Sequence, residues 1–293
     1  MKFNTKCVHG GGKPDSTGAI SPAIYMSSTF THPGLGETTG FQYTRESNPT
    51  RDRLETLIAG LEEGTDAIAF SSGMAAVDAV FHLFSPGDHV ILGDDLYGGS
   101  IRLFTNIYEK NGVEFTYVGT SDLDAVQAAF KPNTKAVYIE TPTNPMMEIT
   151  DVRALSKMAH DRNALVIVDN TFLSPYFQKP LHLGADIVVH SGTKFISGHH
   201  DVISGFTIVK DDELAAQLRL IYKTVGACLS AFDSWLVIRG IKTLALRMEQ
   251  HQKNAIALAE WLKNEPKVTK VLFPGLPEHP GYEINKSQTT GFG

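Results

Sequence analysis

Between about residue 65 and residue 210 the chain alternates short apolar runs with stretches whose apolar positions recur at helical spacing. Seven runs predict strands: DAIAF at 66–70, HVILGD at 89–94, EFTYVG at 114–119, KAVYIET at 135–141, ALVIVD at 164–169, DIVVHS at 186–191 and GFTIVK at 205–210. Most are near-continuous Val, Ile and Leu rather than alternating, as expected of strands covered on both sides. Between the earlier ones the spacing predicts helices at 75–84, 101–111, 123–130 and 152–163, the last preceded by Asp151 as N-cap. The expectation is an α/β protein with a mostly parallel sheet and helices on both faces.

The flanks read differently. Residues 1–46 are rich in Gly, Ser, Thr and Pro and hold no sustained period, which predicts an extended arm that needs another surface to lie on. Residues 47–245 form the sheet domain. A long helical pattern from 230 to 263, carrying Trp235, Leu236, Ile238, Leu244, Leu246, Ile256, Leu258 and Trp261, leads into a smaller domain that begins at 246. That domain reads as unfinished: VTKVLFPG and a polar stretch follow before TTGFG at 289–293, so a truncated chain is expected.

Composition removes several functions. With 26 basic and 32 acidic residues, a net charge of −6 and no basic cluster, the chain lacks an electrostatic footprint for nucleic acid. No apolar signal core opens it and no run reaches the length of a membrane span, so a cytoplasmic protein is expected. Cys7 and Cys228 stand alone without CxxC spacing, which suggests neither a disulfide nor a thiolate zinc site. His190, His199 and His200 have no Cys or carboxylate at ligand spacing, so no metal is expected. GGGKP at 10–14 lacks a preceding strand and GLGETTG at 34–40 lacks a βαβ frame; neither is a nucleotide loop.

Four strand ends carry chemistry. Asp169 closes the apolar run ALVIVD, where ligand crevices form in parallel sheets, although an aspartate there also serves as an ordinary N-cap or turn residue. Lys194 follows the run at 186–191 with Ser191 and Thr193 beside it; glycines at 192, 198 and 205 are expected to let backbone approach something planar or charged. In FSSGMAAV at 70–77 the chain passes through Gly73 into a helix whose free N–H groups suit a phosphate. Tyr97 precedes Gly98 and Gly99, which leave its ring face open for stacking. An amine, a carboxylate, a phosphate cradle and an aromatic plate are the set that pyridoxal 5'-phosphate (PLP) requires.

Six ordered blocks carry a resemblance: QYTRESNPTR at 42–51, SSGM at 71–74, LYGG at 96–99, ETPTNP at 140–145, VDNTF at 168–172 and SGTKFISGH at 191–199. With them the chain resembles the cystathionine-metabolising group of fold-type I PLP enzymes, which includes cystathionine lyases, cystathionine γ-synthase and methionine γ-lyase, from about residue 5 onward. The resemblance implies that Lys194 is the Schiff-base lysine that also moves protons between substrate carbons. It implies that Asp169 pairs with the pyridine nitrogen and that Tyr97 stacks on the ring and assists proton transfer. Gly73 and Met74 amides, with the Ser191 and Thr193 hydroxyls, match the family's phosphate cradle; Asn144 and Thr171 match residues near the ring oxygen and ring face. Tyr43 and Arg45 resemble the pair that reaches the phosphate of a neighbouring subunit, which implies a homo-oligomer, a dimer of dimers.

The function so implied is a cystathionine lyase acting on a sulfur amino acid. Cleavage on the γ side yields cysteine, 2-oxobutyrate and ammonia; cleavage on the β side yields homocysteine, pyruvate and ammonia. Gly99 stands where methionine γ-lyases carry a cysteine, which disfavours that activity. Cystathionine γ-synthase, using an activated homoserine ester, and a catalytically impaired relic of the fold stay open. Family chains continue for roughly another quarter of their length and hold there an arginine for the substrate carboxylate, so a polypeptide ending at Gly293 is expected to turn over poorly.

Overall fold

The computed structural model describes residues 1–12, 14 and 16–293; Lys13 of the GGGKP run and Asp15 lie outside the described residues. In chain order the strands are β1 (Asp66–Phe70), β2 (His89–Gly93), β3 (Glu114–Val118), β4 (Thr134–Glu140), β5 (Leu165–Asp169), β6 (Ile187–Ser191) and β7 (Gly205–Val209). The helices are α1 (Phe3–His9), α2 (Pro49–Glu62), α3 (Gly73–Phe81), α4 (Gly98–Leu103), α5 (Leu123–Ala129), α6 (Val152–His160), α7 (Ser174–Phe177), α8 (Pro180–Leu183), α9 (Asp212–Val225), α10 (Ala231–Ile241), α11 (Leu244–Lys263) and α12 (Tyr282–Gln288). The seven strands make a mostly parallel α/β sheet, the predicted class, and every predicted strand is present within a residue or so of its expected bounds.

The chain forms two compact units. The first comprises Met1–Leu83 and His190–Ala245, the second Phe84–Val189 and Leu246–Gly293. In the first, β1 pairs antiparallel with β7 from Asp66↔Val209 to Phe70↔Gly205. Helix α2 lies against them, opened by Asn48, whose side chain accepts the Thr50 N–H at 2.9 Å, with Pro49 in the first turn. Its hidden face is charged as well as apolar. Arg51 is 1% exposed, donates to the Leu229 carbonyl at 3.0 Å and stands beside Glu55, which Arg219 also meets at 2.7 Å. Residues 1–46 are not wholly extended, since Phe3–His9 forms α1 and buries Cys7.

In the second unit β3, β2, β4, β5 and the first half of β6, up to Val189, run parallel in that order. Their interior positions, such as Val90, Ile91, Ile139, Val166, Ile167 and Val188, are fully buried, which is why the sequence reads as continuous apolar runs. Helix α6 starts at Asp151, whose Oδ1 accepts the Ala154 N–H at 3.0 Å, as predicted. The predicted 101–111 helix is instead α4 followed by a π-helical turn, Phe104–Tyr108. The 230–263 pattern divides at Lys242 and Thr243 into α10 and α11. Ala259, Phe273 and Leu276 form a separate small apolar cluster with the partly buried Val271 and Phe292.

Candidate active site

In the first unit, Gly73 opens α3 behind the N-cap Ser72, whose Oγ accepts the Ala75 N–H at 3.0 Å. The first amides of a helix have no carbonyl partner within it, so those of Gly73 and Met74 are donors for an anion. The turn comes so close to the end of β6 that a Cβ on Gly73 would sit 2.8 Å from the Ser191 Cβ. Gly205 is tighter still, with a Cβ there falling 2.1 Å from the Ser72 carbonyl oxygen. The close approach expected at Gly192 and Gly205 is made by the protein's own atoms, the Phe206 ring and Ser204 Oγ at Gly192 and the Ser72 backbone at Gly205.

The turn after β6 carries Lys194, which is exposed, so its amine is reachable. Thr193 fixes that turn. Its hydroxyl donates to the Ser204 carbonyl at 3.2 Å and accepts the Ser204 N–H at 3.1 Å. The hydroxyl proton is thereby directed at backbone, and a phosphate oxygen would have to compete for it. Tyr43 and Arg45 also belong to this unit and are exposed. The Arg45 guanidinium lies 5.3 Å from the Tyr43 ring centre and donates to the Lys223 carbonyl in the last turn of α9.

In the second unit, Asp169 ends β5. Its Oδ1 accepts the Thr171 N–H at 3.0 Å and the Thr171 hydroxyl at 2.5 Å, while the Tyr138 hydroxyl stands 3.4 Å from Oδ2. Opposite it across the parallel pair is Glu140, the last residue of β4. Glu140 was not singled out from sequence although it too is an acid ending an apolar strand, the same signal that drew attention to Asp169. Its Oε2 accepts the backbone N–H of Tyr97 at 2.9 Å. Burial, reinforced by the nearby Asp169 and Asp95 charges and opposed by the Tyr97 amide, pushes the Glu140 carboxyl up to about 8. Burial, with Asp169 and Glu140 nearby, holds the Tyr138 phenol well above its usual range. The Tyr97 ring is 49% exposed, available for stacking, and Asn144 is exposed.

The structure thus groups Gly73, Met74, Ser191, Thr193 and Lys194 within one unit and Tyr97, Asn144, Asp169 and Thr171 within the other. The first set offers helix N-terminal amides, a serine and a reachable primary amine, which fits a phosphate ester and an aldehyde. The second offers a carboxylate oriented by three donors and an open aromatic face, which fits a planar ring bearing an N–H. The residues present therefore fit PLP. Among the described residues no helix is long and apolar enough to cross a membrane.

Comparison with known proteins gives the same answer from the whole chain. The family described as Cys/Met metabolism PLP-dependent enzyme matches residues 4–293. A cystathionine beta-lyase of Lactococcus lactis is 50% identical over 99% of this chain and 77% of its own length. A cystathionine gamma-lyase of Bacillus subtilis is 49% identical over 100% of this chain and 78% of its own. The crystal structure of cystathionine gamma-lyase from Lactobacillus plantarum complexed with L-serine superposes with a TM-score of 0.98 at 48% identity, covering 100% of this chain and 77% of that one. With its motifs, its fold and its overall similarity in agreement, the chain belongs to the Cys/Met metabolism family of PLP-dependent enzymes.

Proposed function

We propose that the chain is a PLP-dependent lyase that cleaves a carbon–sulfur bond of cystathionine, releasing a sulfur amino acid, a 2-keto acid and ammonia. One observation carries the reading: the lyases of Lactococcus lactis and Bacillus subtilis match essentially the whole chain at 50% and 49% identity. When bound, PLP supplies an electron-accepting ring that stabilises negative charge at the substrate α-carbon. Lys194 would hold the cofactor covalently and, freed by the substrate amine, carry protons between substrate carbons. Gly73 and Met74 amides and the Ser191 hydroxyl would bind the phosphate, with Thr193 fixing the turn that bears Lys194. Asp169, oriented by Thr171 and Tyr138, would face the ring nitrogen; Tyr97 would stack on the ring; Asn144 and Thr171 would lie by the ring oxygen and ring face.

Incubation with cystathionine and identification of the keto acid tests this. Pyruvate reports β-cleavage and 2-oxobutyrate γ-cleavage, and absence of both rules the lyase out. A second reading is cystathionine γ-synthase, favoured by a Mycobacterium bovis enzyme of that name at 49% identity over 99% of this chain. Product formed only from an activated homoserine ester plus cysteine would select it.

The finer reading is a cytoplasmic homotetramer in which Tyr43 and Arg45 serve a partner's phosphate. Supporting it, apolar side chains on the same N-terminal segment stand open in the single chain, Ile20 at 79% and Met26 at 76% exposed, as surfaces awaiting a second copy do. Mixing Arg45→Ala with Lys194→Ala chains should restore a fraction of sites in hybrid dimers; none restored in verified hybrids refutes the crossing.

A further inference from the structure

Two acids end adjacent parallel strands in direct register, Glu140 on β4 and Asp169 on β5. Like charges facing each other across a strand pair repel, and here the repulsion acts beside a buried core, because Glu140 is only 6% exposed. Among the described residues no cationic side chain pairs with Glu140. The groups around it are Asp169 on β5, the Tyr138 phenol two residues earlier on the same face of β4, and Asp95 and Tyr97 from the segment between β2 and α4. Asp95 is itself engaged, since its Oδ2 accepts the Met146 N–H at 3.0 Å. Glu140, buried, in register with Asp169 and without a cation beside it, is costly to ionise and is the acid of the pair to stay neutral.

We propose that Glu140 is a positioning residue that remains protonated at neutral pH, anchoring the Tyr97 amide through one oxygen while leaving Asp169 as the anion of the strand pair. The inference rests on the reading of Asp169 and Tyr97 as ring-nitrogen and ring-face residues. Its consequence is a division of labour. Asp169 keeps its full charge for the cation it meets, undiluted by a second carboxylate at its side, and the backbone that presents the Tyr97 ring is tied to a strand end. Burial and the neighbouring anions support the neutral form by pushing the Glu140 carboxyl up to about 8.

The test uses apo-protein first, so that it does not depend on turnover. An acid whose folded pKa lies above its unfolded one binds its proton more tightly when folded. The stability it contributes is full below the unfolded value and is lost as pH rises through the folded value, here about 8. Wild-type apo-protein should melt at falling temperature from about pH 5 to pH 8, and Glu140→Gln, neutral at every pH, should lose that component of the slope. Infrared difference spectra of the wild type should show a buried carboxylic-acid carbonyl band at neutral pH that titrates away near pH 8. In the holoenzyme Glu140→Gln, which still accepts the Tyr97 N–H, should recover roughly tenfold of the turnover lost in Glu140→Ala.

An unchanged melting slope in Glu140→Gln, or the absence of the carbonyl band from wild-type protein, overturns the proposal even if the enzyme is active. Equal activity of the Gln and Ala variants overturns the anchoring role. Failure of the wild type to take up PLP at Lys194, with the apo titration as described, would instead overturn the functional reading and leave the protonated pair standing.

Discussion

The turn that carries Lys194 and the strand ends that carry Glu140 and Asp169 are held in place by opposite means. Around Lys194 backbone meets backbone: Gly205 leaves no room for a Cβ against the Ser72 carbonyl, and Thr193 is tied to both polar groups of the Ser204 backbone. Around Asp169 side chains meet side chains, with Thr171 and Tyr138 directed at the carboxylate and Glu140 in register with it. The first arrangement should tolerate changes of charge and fail on changes of volume. The second should tolerate modest changes of volume and fail on changes of charge.

Lys194 is the exception within its own region and gives the largest expected effect. Its side chain is exposed, so Lys194→Ala should leave the melting temperature nearly unchanged while turnover falls by at least about 10^4-fold. Keto-acid release and the mass of the protein after hydride reduction in the presence of PLP check both halves. Residual turnover near the wild-type rate would remove this lysine from the chemistry. Next comes Asp169→Ala, which should cost about 10^2 to 10^3-fold in turnover. Burial, the main cause of the raised Glu140 carboxyl, persists without Asp169, but the repulsion that adds to it is relieved, so the apo-protein's melting slope should shift toward lower pH. A slope that stays near pH 8 would show that the two acids do not sense each other.

Gly205→Ala probes the other region by volume alone. The added carbon meets backbone rather than the end of a flexible side chain, so β7 or the Ser72 turn must move, at a cost on the order of 3 kcal/mol. Thermal denaturation should register a drop of several degrees, accompanied by weaker PLP retention because the displaced turn opens α3. A melting temperature within a degree of wild type would mean that the close approach is slack.

How far the sequence disclosed all this follows the same physics. The strands were legible because burial on both faces demands unbroken apolar runs, as in Leu165–Asp169 and Ile187–Ser191. Helix α2 escaped because part of its buried face is Arg51, Glu55 and Glu62, which blunts the apolar period even though Asn48-Pro49 is a good start signal. Helix α1 is only seven residues long and lies in a Gly- and Ser-rich context, too short for a period to emerge. The motifs pointed to Lys194, Asp169 and Tyr97, each at or a few residues beyond a strand end. They did not disclose Glu140, because its importance comes from register with a residue on another strand and from a backbone amide, neither of which a linear pattern displays.

Thr193 sharpens the comparison most finely and carries the smallest expected effect. Sequence placed its hydroxyl on a phosphate; the structure aims that proton at the Ser204 carbonyl. The two roles predict different responses to Thr193→Val, which keeps the shape and removes the hydroxyl. If the hydroxyl serves the turn, the Ser204 N–H loses its acceptor, and because Ser204 is fully buried the loss costs about 1 to 2 kcal/mol of apo-protein stability. PLP affinity should then fall no further than the looser turn requires, and Thr193→Ser should restore both. If the hydroxyl serves the phosphate, apo-protein stability should hold and PLP affinity alone should drop. Melting of the apo-protein beside a PLP titration separates the cases, and an unaltered apo-protein would return Thr193 to the phosphate.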